Sequence, residues 1–122
     1  ASQIAFVELG ANDPNFNLRR EQGIVQRVVG TSSNTFAGVL EAHGEYNGAR
    51  EYTVRSTSQV SKLELFESDG KNVIRITTSS GAVLMLALSF DPDPDRAHAV
   101  DTPHGRVAWT GFYELISSGG ET

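Results

Sequence analysis

The chain has 122 residues, which suits one domain with a core of its own. Its net charge of −5 argues against nucleic acid as the partner, because no global positive field would attract phosphates. It has no cysteine and no apolar run long enough to predict a membrane-spanning helix, so we expect neither a disulfide framework nor a membrane partner. A strand pattern follows Ala1 almost at once, and we therefore expect a mature or excised piece of a longer chain; removal of an initiator Met is the alternative.

Apolar and β-branched runs alternate with Gly, Asn, Ser and Pro clusters along the chain, and no segment keeps a helical period. The predicted strands span residues 3–9, 23–29, 35–41, 50–56, 59–67, 72–78, 82–90, 96–100, 106–110 and 112–116. Ten short strands at this spacing predict an all-β fold, an antiparallel β-sandwich of two packed sheets that forms a single domain over residues 1–122.

The segment from 59 to 90 predicts a three-stranded antiparallel meander, because the turn signals "SDGKN" and "SSG" separate its strands. Apolar and polar side chains alternate in the first two strands, and this alternation predicts that Ile74 and Ile76 point inward. The third strand, "AVLMLALSF" (82–90), is apolar on both faces, which indicates a central strand covered from both sides. A short buried helical segment is the competing interpretation of that run.

The stretch "GANDPNFNLRREQG" (10–23) predicts a structured loop. Asn-Asp-Pro is typical of a turn, and we expect Phe16 and Leu18 to plug the end of the core. The guanidinium of Arg19 is suited to pairing with a carboxylate, either on an acidic ligand or on a neighbouring domain.

The segment "LEAHGEYNGAREY" (40–52) holds the densest cluster of polar and aromatic side chains, where a predicted strand runs into a loop. Binding residues favour such rims, and His, Tyr and Glu are proton-transfer groups. The candidate substrate-binding residues here are His43, Glu45, Tyr46, Asn47 and Glu51. The alternative is a hairpin loop with Tyr46 packed on its own strand.

Motifs typical of metal, nucleophile and phosphate sites are weak or absent in the sequence, and we predict no metal, no cofactor and no catalytic residue in this chain. The three histidines, His43, His98 and His104, lack metal-ligand spacing, and "DPDPD" (91–95) has prolines where a calcium loop needs flexibility. The sequence contains neither a Gly-x-Ser-x-Gly elbow nor a glycine-rich phosphate loop.

Two of these segments, "GANDPNFNLRREQG" and "FAGVLEAHGEYNGAREY", resemble the C-terminal region of heparinase II/III-like polysaccharide lyases, and oligoalginate lyases of family 17 in particular. The likeness continues through "VIRITTSSGAVLMLALSF" and "VAWTGFYELI". The resemblance implies a parent with an N-terminal α/α toroid, antiparallel sheets and a cleft between them, which cleaves uronate chains by β-elimination. It also implies a periplasmic or secreted location.

This chain matches only the final β-domain of that architecture and contains neither the helical toroid nor the family's His/Asp metal pattern. The resemblance therefore implies an accessory domain, cut or processed from a larger lyase and inactive alone. Its expected partners are the toroid and central sheet of the parent and an acidic polysaccharide. An independent carbohydrate-binding module is the alternative. A free-standing enzyme is the third interpretation, and it has the least support because the chain lacks a coherent acid–base set.

Overall fold

A computed structural model describes residues 2–10 and 20–119. These residues form ten β-strands and no helix, and every paired strand is antiparallel. No helix among them is long and apolar enough to cross a membrane. The chain divides into two compact units, Ala1–Phe36 and Ala37–Thr122. The all-β prediction is thus confirmed.

The first unit is a long hairpin of β1 (Ser2–Gly10) and β2 (Arg20–Val28), in which Phe6 lies opposite Ile24. Both strands were predicted, and β2 begins three residues before the predicted start. The loop between them falls outside the described residues, as do Phe16, Leu18 and Arg19. The predictions made for those three side chains therefore remain predictions.

The second unit contains a four-stranded sheet and two hairpins. The sheet has the order β10-β7-β6-β5, and one hairpin pairs β3 with β4 while the other pairs β8 with β9. The strands are β3 (Glu45–Asn47), β4 (Tyr52–Val54), β5 (Val60–Ser68), β6 (Lys71–Thr78), β7 (Val83–Ser89), β8 (Ala97–Thr102), β9 (Gly105–Thr110) and β10 (Tyr113–Ser118).

The predicted meander is confirmed as β5, β6 and β7. The turn between β5 and β6 is the dipeptide Asp69-Gly70, whose φ angles of 44° and 71° are both positive. A two-residue hairpin turn of this kind matches the right-handed twist of its strands and favours an Asp-Gly pair. The turn chemistry therefore fixes the register of this part of the sheet.

The core lies between the four-stranded sheet and the β8–β9 hairpin. Val73 and Ala87 on the sheet are fully buried against Val100, Val107 and Trp109 on the hairpin. Trp109 is 4% exposed, so it anchors the core. The sandwich accordingly has one layer of four strands and one of two.

One predicted strand is wrong. Residues 35–41 are not in a strand, and the side chains of Phe36 and Leu40 are exposed. Composition favoured a strand there, but a strand also needs a partner to satisfy its backbone groups. The predicted strand 50–56 is shortened to β4, since Glu51 and Arg55 flank it with φ angles of 55° and 54°, outside the extended region.

The predicted direction of Ile74 and Ile76 is also wrong. Val73, between Asn72 and Ile74, is the side chain that points into the core, and alternation places both isoleucines on the opposite face. β7 is central, between β6 and β10, as predicted. Its expected cover on both faces is not complete, because Ala87 is buried on one face while Leu84 is 41% exposed on the other.

Candidate functional site

The face of the four-stranded sheet that points away from the β8–β9 hairpin is apolar. Cross-strand pairs align its side chains in rows, for example Leu65, Ile74, Leu86 and Leu115. We call this surface the outer face. Its apolar members are Leu63, Leu65, Ile74, Ile76, Leu84, Leu86, Leu88, Tyr113 and Leu115.

The outer face is incompletely covered, most of all along β10. Leu115 is 70% exposed and Tyr113 is 69% exposed, whereas the neighbouring Ile116 packs against the core. Contiguous exposed apolar surface of this kind marks an interaction site in soluble proteins. Glu67 and Asn72 lie on the same face, in its row nearest the β5–β6 turn. The nine apolar side chains form a surface suited to packing against another apolar surface.

The β3–β4 hairpin carries most of the predicted substrate-binding residues, but it separates them. Glu45 pairs with Val54 and Asn47 with Tyr52, so these four side chains share one face. Tyr46 pairs with Thr53 and lies on the other face, where it is 69% exposed. The hairpin predicted as the alternative is present, although Tyr46 is not buried on it.

Several polar side chains of this hairpin form hydrogen bonds or ion pairs with other groups of the same segment. The Asn47 Oδ1 atom accepts hydrogen bonds from the backbone N–H groups of Ala49 and Arg50, at 3.1 and 3.2 Å. The Arg50 guanidinium donates to the Tyr52 hydroxyl at 2.9 Å, and Glu45 lies 3.5 Å from Arg55 in an exposed ion pair. Asn47 thus stabilises the turn, an arrangement typical of an Asx turn.

The other predicted residues lie before and after β3. His43 is exposed and precedes the strand, Glu51 is exposed in the turn, and Arg19 is outside the described residues. Nearby, the Glu41 carboxylate accepts hydrogen bonds from the Ser58 hydroxyl at 2.6 Å and from the Gln59 N–H at 2.7 Å. These bonds lower the pKa of Glu41 and tie the segment before the hairpin to the start of β5.

A charged cluster that we did not predict lies on the inner face of the sheet. The Glu64 carboxylate contacts Lys62 Nζ at 2.7 Å, Arg75 NH1 at 3.0 Å and His104 Nε2 at 3.1 Å. The hydrogen bond from Lys62, together with those from His104 and Arg75, lowers the pKa of Glu64 to about 2. Glu64 is therefore ionised near neutral pH and is a poor general base.

This cluster joins β5 and β6 to the β8–β9 turn. The His104 ring also contacts Phe66 edge-on, with ring centroids 6.0 Å apart. The pairing of Glu64 with Arg75 follows from the register of the predicted meander, but the contact with His104 spans forty residues and has no local signal. We interpret the cluster as a structural joint between the two layers.

The described residues contain no group of three His, Cys, Asp or Glu side chains arranged to hold a metal ion. In the "DPDPD" loop, Asp91 and Asp93 accept hydrogen bonds from the backbone N–H groups two residues further on, at 2.9 and 3.0 Å. Arg96 lies 3.3 Å from Asp91. These contacts make the loop a self-stabilised connection between β7 and β8.

Two curated proteins are similar to nearly the whole chain. One, named exo-oligoalginate lyase, from Saccharophagus degradans, is 34% identical over 113 residues, which cover 93% of this chain and 15% of that protein. The other, named alginate lyase, from Stenotrophomonas maltophilia, is 38% identical over 115 residues, which cover 94% of this chain and 16% of that protein. The chain is an alginate lyase-related domain. No protein-family model matches it.

The alginate lyase-related region includes both compact units, since a match to 93% or 94% of the chain leaves out only a few residues. The chain spans about one-sixth of the length of either relative. Most of each relative therefore has no counterpart in the sequence described here.

Proposed function

We propose that this chain is an accessory, structural β-domain of an alginate lyase, which packs against the catalytic part through its outer face and walls the substrate cleft. The catalytic part is expected to be the α/α toroid and central sheet of a heparinase II/III-like lyase. The likeness to two lyase segments supports the kind of parent, and the exposed apolar face supports the mode of packing.

The outer face is the observation that carries this proposal. A domain that works alone in water rarely leaves a contiguous apolar sheet face uncovered. The relatives supply an occupant, because about five-sixths of each lies outside the matched segment. Burying the exposed part of Leu115 alone would contribute about 1–2 kcal/mol to such an interface.

The chain alone is not expected to cleave a uronate linkage. β-Elimination needs a base at C5 and an acid at the leaving oxygen, both close to the same sugar. On the β3–β4 hairpin, Glu45 is paired with Arg55 and Tyr46 lies on the opposite face. A substrate contact by Tyr46, Glu45 or His43 would then be one of binding, beside catalytic groups contributed by the rest of the lyase.

A chimera tests the packing. The matched 115-residue segment of the Stenotrophomonas maltophilia alginate lyase is replaced by this chain. We expect a folded protein that releases unsaturated oligosaccharides from alginate, detected by their ultraviolet absorbance, and we expect no product from the isolated chain.

Two leucine substitutions then locate the interface. Leu115→Ser, on the outer face, should destabilise the chimera yet leave the isolated chain nearly unchanged. Leu40→Ser is the matched control, because Leu40 is fully exposed and lies outside the sheet. Equal thermal stability of the two chimeras would refute packing through the outer face.

The alternative is an independent carbohydrate-binding module. The observation that favours it is the exposure of several aromatic rings, Phe90 at 76% and Tyr46 at 69% among them. A module would not depend on packing against the rest of a lyase, so Leu115→Ser would not change the stability of the chimera.

A further inference from the structure

An open cleft lies at the end of the sandwich where the β5–β6 turn, the end of β7 and the start of β8 meet. Its volume is about 390 Å³, within the range of small-molecule sites. We call it the end cleft. Its walls include Asp69, Lys71, Ser89, Phe90, Arg96 and His98.

The rim of the end cleft presents an aromatic ring to solvent. Phe90 follows directly after β7, and its backbone N–H donates to the Gly70 carbonyl at 3.1 Å, which fixes the residue beside the turn. The side chain is nevertheless 76% exposed. A flat apolar ring next to polar groups provides a stacking surface for one face of a sugar ring.

The charges of the end cleft are only partly neutralised by one another. Arg96 pairs with Asp91 at 3.3 Å and with Asp93 at 3.7 Å. Lys71 and Asp69 form no ion pair within the part of the chain that the structure describes. An ammonium group and a carboxylate thus remain for a ligand that carries both a negative charge and hydroxyl groups.

Two buried polar residues contribute to the walls of the end cleft. Ser89 is 9% exposed, and its hydroxyl oxygen accepts a hydrogen bond from the Asp91 N–H at 3.1 Å. His98 is 8% exposed, and its Nε2 atom has no hydrogen-bond partner among the described residues. Buried polar groups are usually paired, so an unpaired one beside a cleft marks a place where stability was not the sole requirement.

The geometry points to the end cleft as a binding site for one residue of an acidic sugar. The ring stacks on Phe90, the sugar carboxylate pairs with Lys71, and Asp69 accepts hydrogen bonds from hydroxyl groups. The choice of a uronate as the acidic sugar rests on the proposed function, whereas the site itself rests on the cleft. This site is distinct from the β3–β4 hairpin.

Calorimetric titration of the full chain with trimers of mannuronate and guluronate tests the inference, with neutral mannotriose as the comparison ligand. We expect uronate trimers to bind in the millimolar range or tighter and the neutral trimer to bind more weakly. Phe90→Ala and Lys71→Gln should each weaken uronate binding about tenfold, which is the effect of losing one good contact. Because Phe90 is largely exposed, its substitution should leave the thermal midpoint almost unchanged.

Two control variants separate this site from other surfaces. Arg106→Gln removes an exposed cation and Phe36→Ala removes an exposed ring, and neither residue lines the end cleft. Both should bind uronates as the unmodified chain does. Absence of binding or equal binding of the neutral trimer would overturn the inference. So would a loss of binding in Tyr46→Ala, on the candidate substrate-binding hairpin, with no loss in Phe90→Ala. The packing proposal would survive all three results, since the chimera tests it without titration.

Discussion

Leu115 and Ile116 are adjacent on β10 and point to opposite faces of the sheet, so replacing each with alanine measures the two faces separately. Ile116 packs against the core, while Leu115 is 70% exposed. A fully buried Ile→Ala change costs about 2–5 kcal/mol. Because Ile116 is only half-buried, we expect a loss of about 1–2 kcal/mol for Ile116→Ala and less than about 0.5 kcal/mol for Leu115→Ala in the isolated chain.

Urea unfolding of the isolated chain, followed by the fluorescence of the single tryptophan, Trp109, provides the assay. Trp109 lies in the core, so its emission reports loss of packing between the sheet and the β8–β9 hairpin. With a urea slope of about 1–3 kcal/mol per M, the midpoint of Ile116→Ala should fall by roughly 0.5–1 M. The midpoint of Leu115→Ala should remain within about 0.3 M of the unmodified chain.

The difference in stability cost between Ile116→Ala and Leu115→Ala should narrow in the chimera. If the outer face is buried there, Leu115→Ala removes contacts worth about 1–2 kcal/mol and approaches Ile116→Ala in cost. A Leu115→Ala loss above about 1.5 kcal/mol in the isolated chain would show that the chain covers this face by itself. That result would refute the reasoning that assigns the outer face to another body.

Three further predictions concern the interior of the second unit. Gly111→Ala should lower the free energy of unfolding by more than about 3 kcal/mol, because a Cβ there would lie 2.7 Å from the Pro94 carbonyl oxygen at a φ of +82°. Gly81→Ala, at a φ of +86° in open space, should lower it by about 1 kcal/mol, and thermal melts compare the two variants. Trp109→Ala should cost about 3–5 kcal/mol in urea unfolding followed by circular dichroism. The folded-state pKa of Glu64 is about 2, below its ordinary value of 4.5, so its contribution is complete above pH 4.5 and is lost as the pH falls towards 2. The stability difference between the unmodified chain and Glu64→Gln should therefore shrink over that interval, and a constant difference would contradict the assigned ion pairs.

Local signals in the sequence were sufficient for the meander and its turns. The Asp69-Gly70 dipeptide specifies a two-residue hairpin, and from that turn the register of Glu64 with Arg75 follows residue by residue. The contact of Glu64 with His104 could not be derived in this way, because the layer that carries His104 joins the sheet only through tertiary packing.

The candidate site was harder to predict than the sheet. Residues 40–52 held suitable side chains, but residue types do not show which face of a hairpin each occupies. A one-residue difference in strand position puts Asn47 and Tyr46 on opposite faces, so that Asn47 caps the turn while Tyr46 is exposed on the other side. The end cleft is formed by three segments that are separated in the sequence, between Asp69 and His98. No local motif joins Lys71, Phe90 and His98.

The distribution of side chains on β5 and β6 is the strongest argument that the sheet is built to be covered on both sides. On the inner face these strands place three charged side chains, Lys62, Glu64 and Arg75, beside Val73 and Phe66, which pack in or against the core. On the outer face they place Leu63, Leu65, Ile74 and Ile76, with Glu67 and Asn72 beside the turn.

A domain whose only apolar contacts were its own would favour the reverse arrangement, with aliphatic side chains inward and charges outward. Instead, the most continuous aliphatic surface of the sheet lies on the side away from the β8–β9 hairpin. Leucine and isoleucine rows of this kind lose their stabilising effect when they remain in water, so the sequence of β5 and β6 is best explained by a second apolar layer against the outer face. The same reasoning explains why the alternation in this segment led to the wrong prediction that Ile74 and Ile76 point into the core. The pattern identified the more apolar face correctly, and that face is the one that we propose packs against a partner.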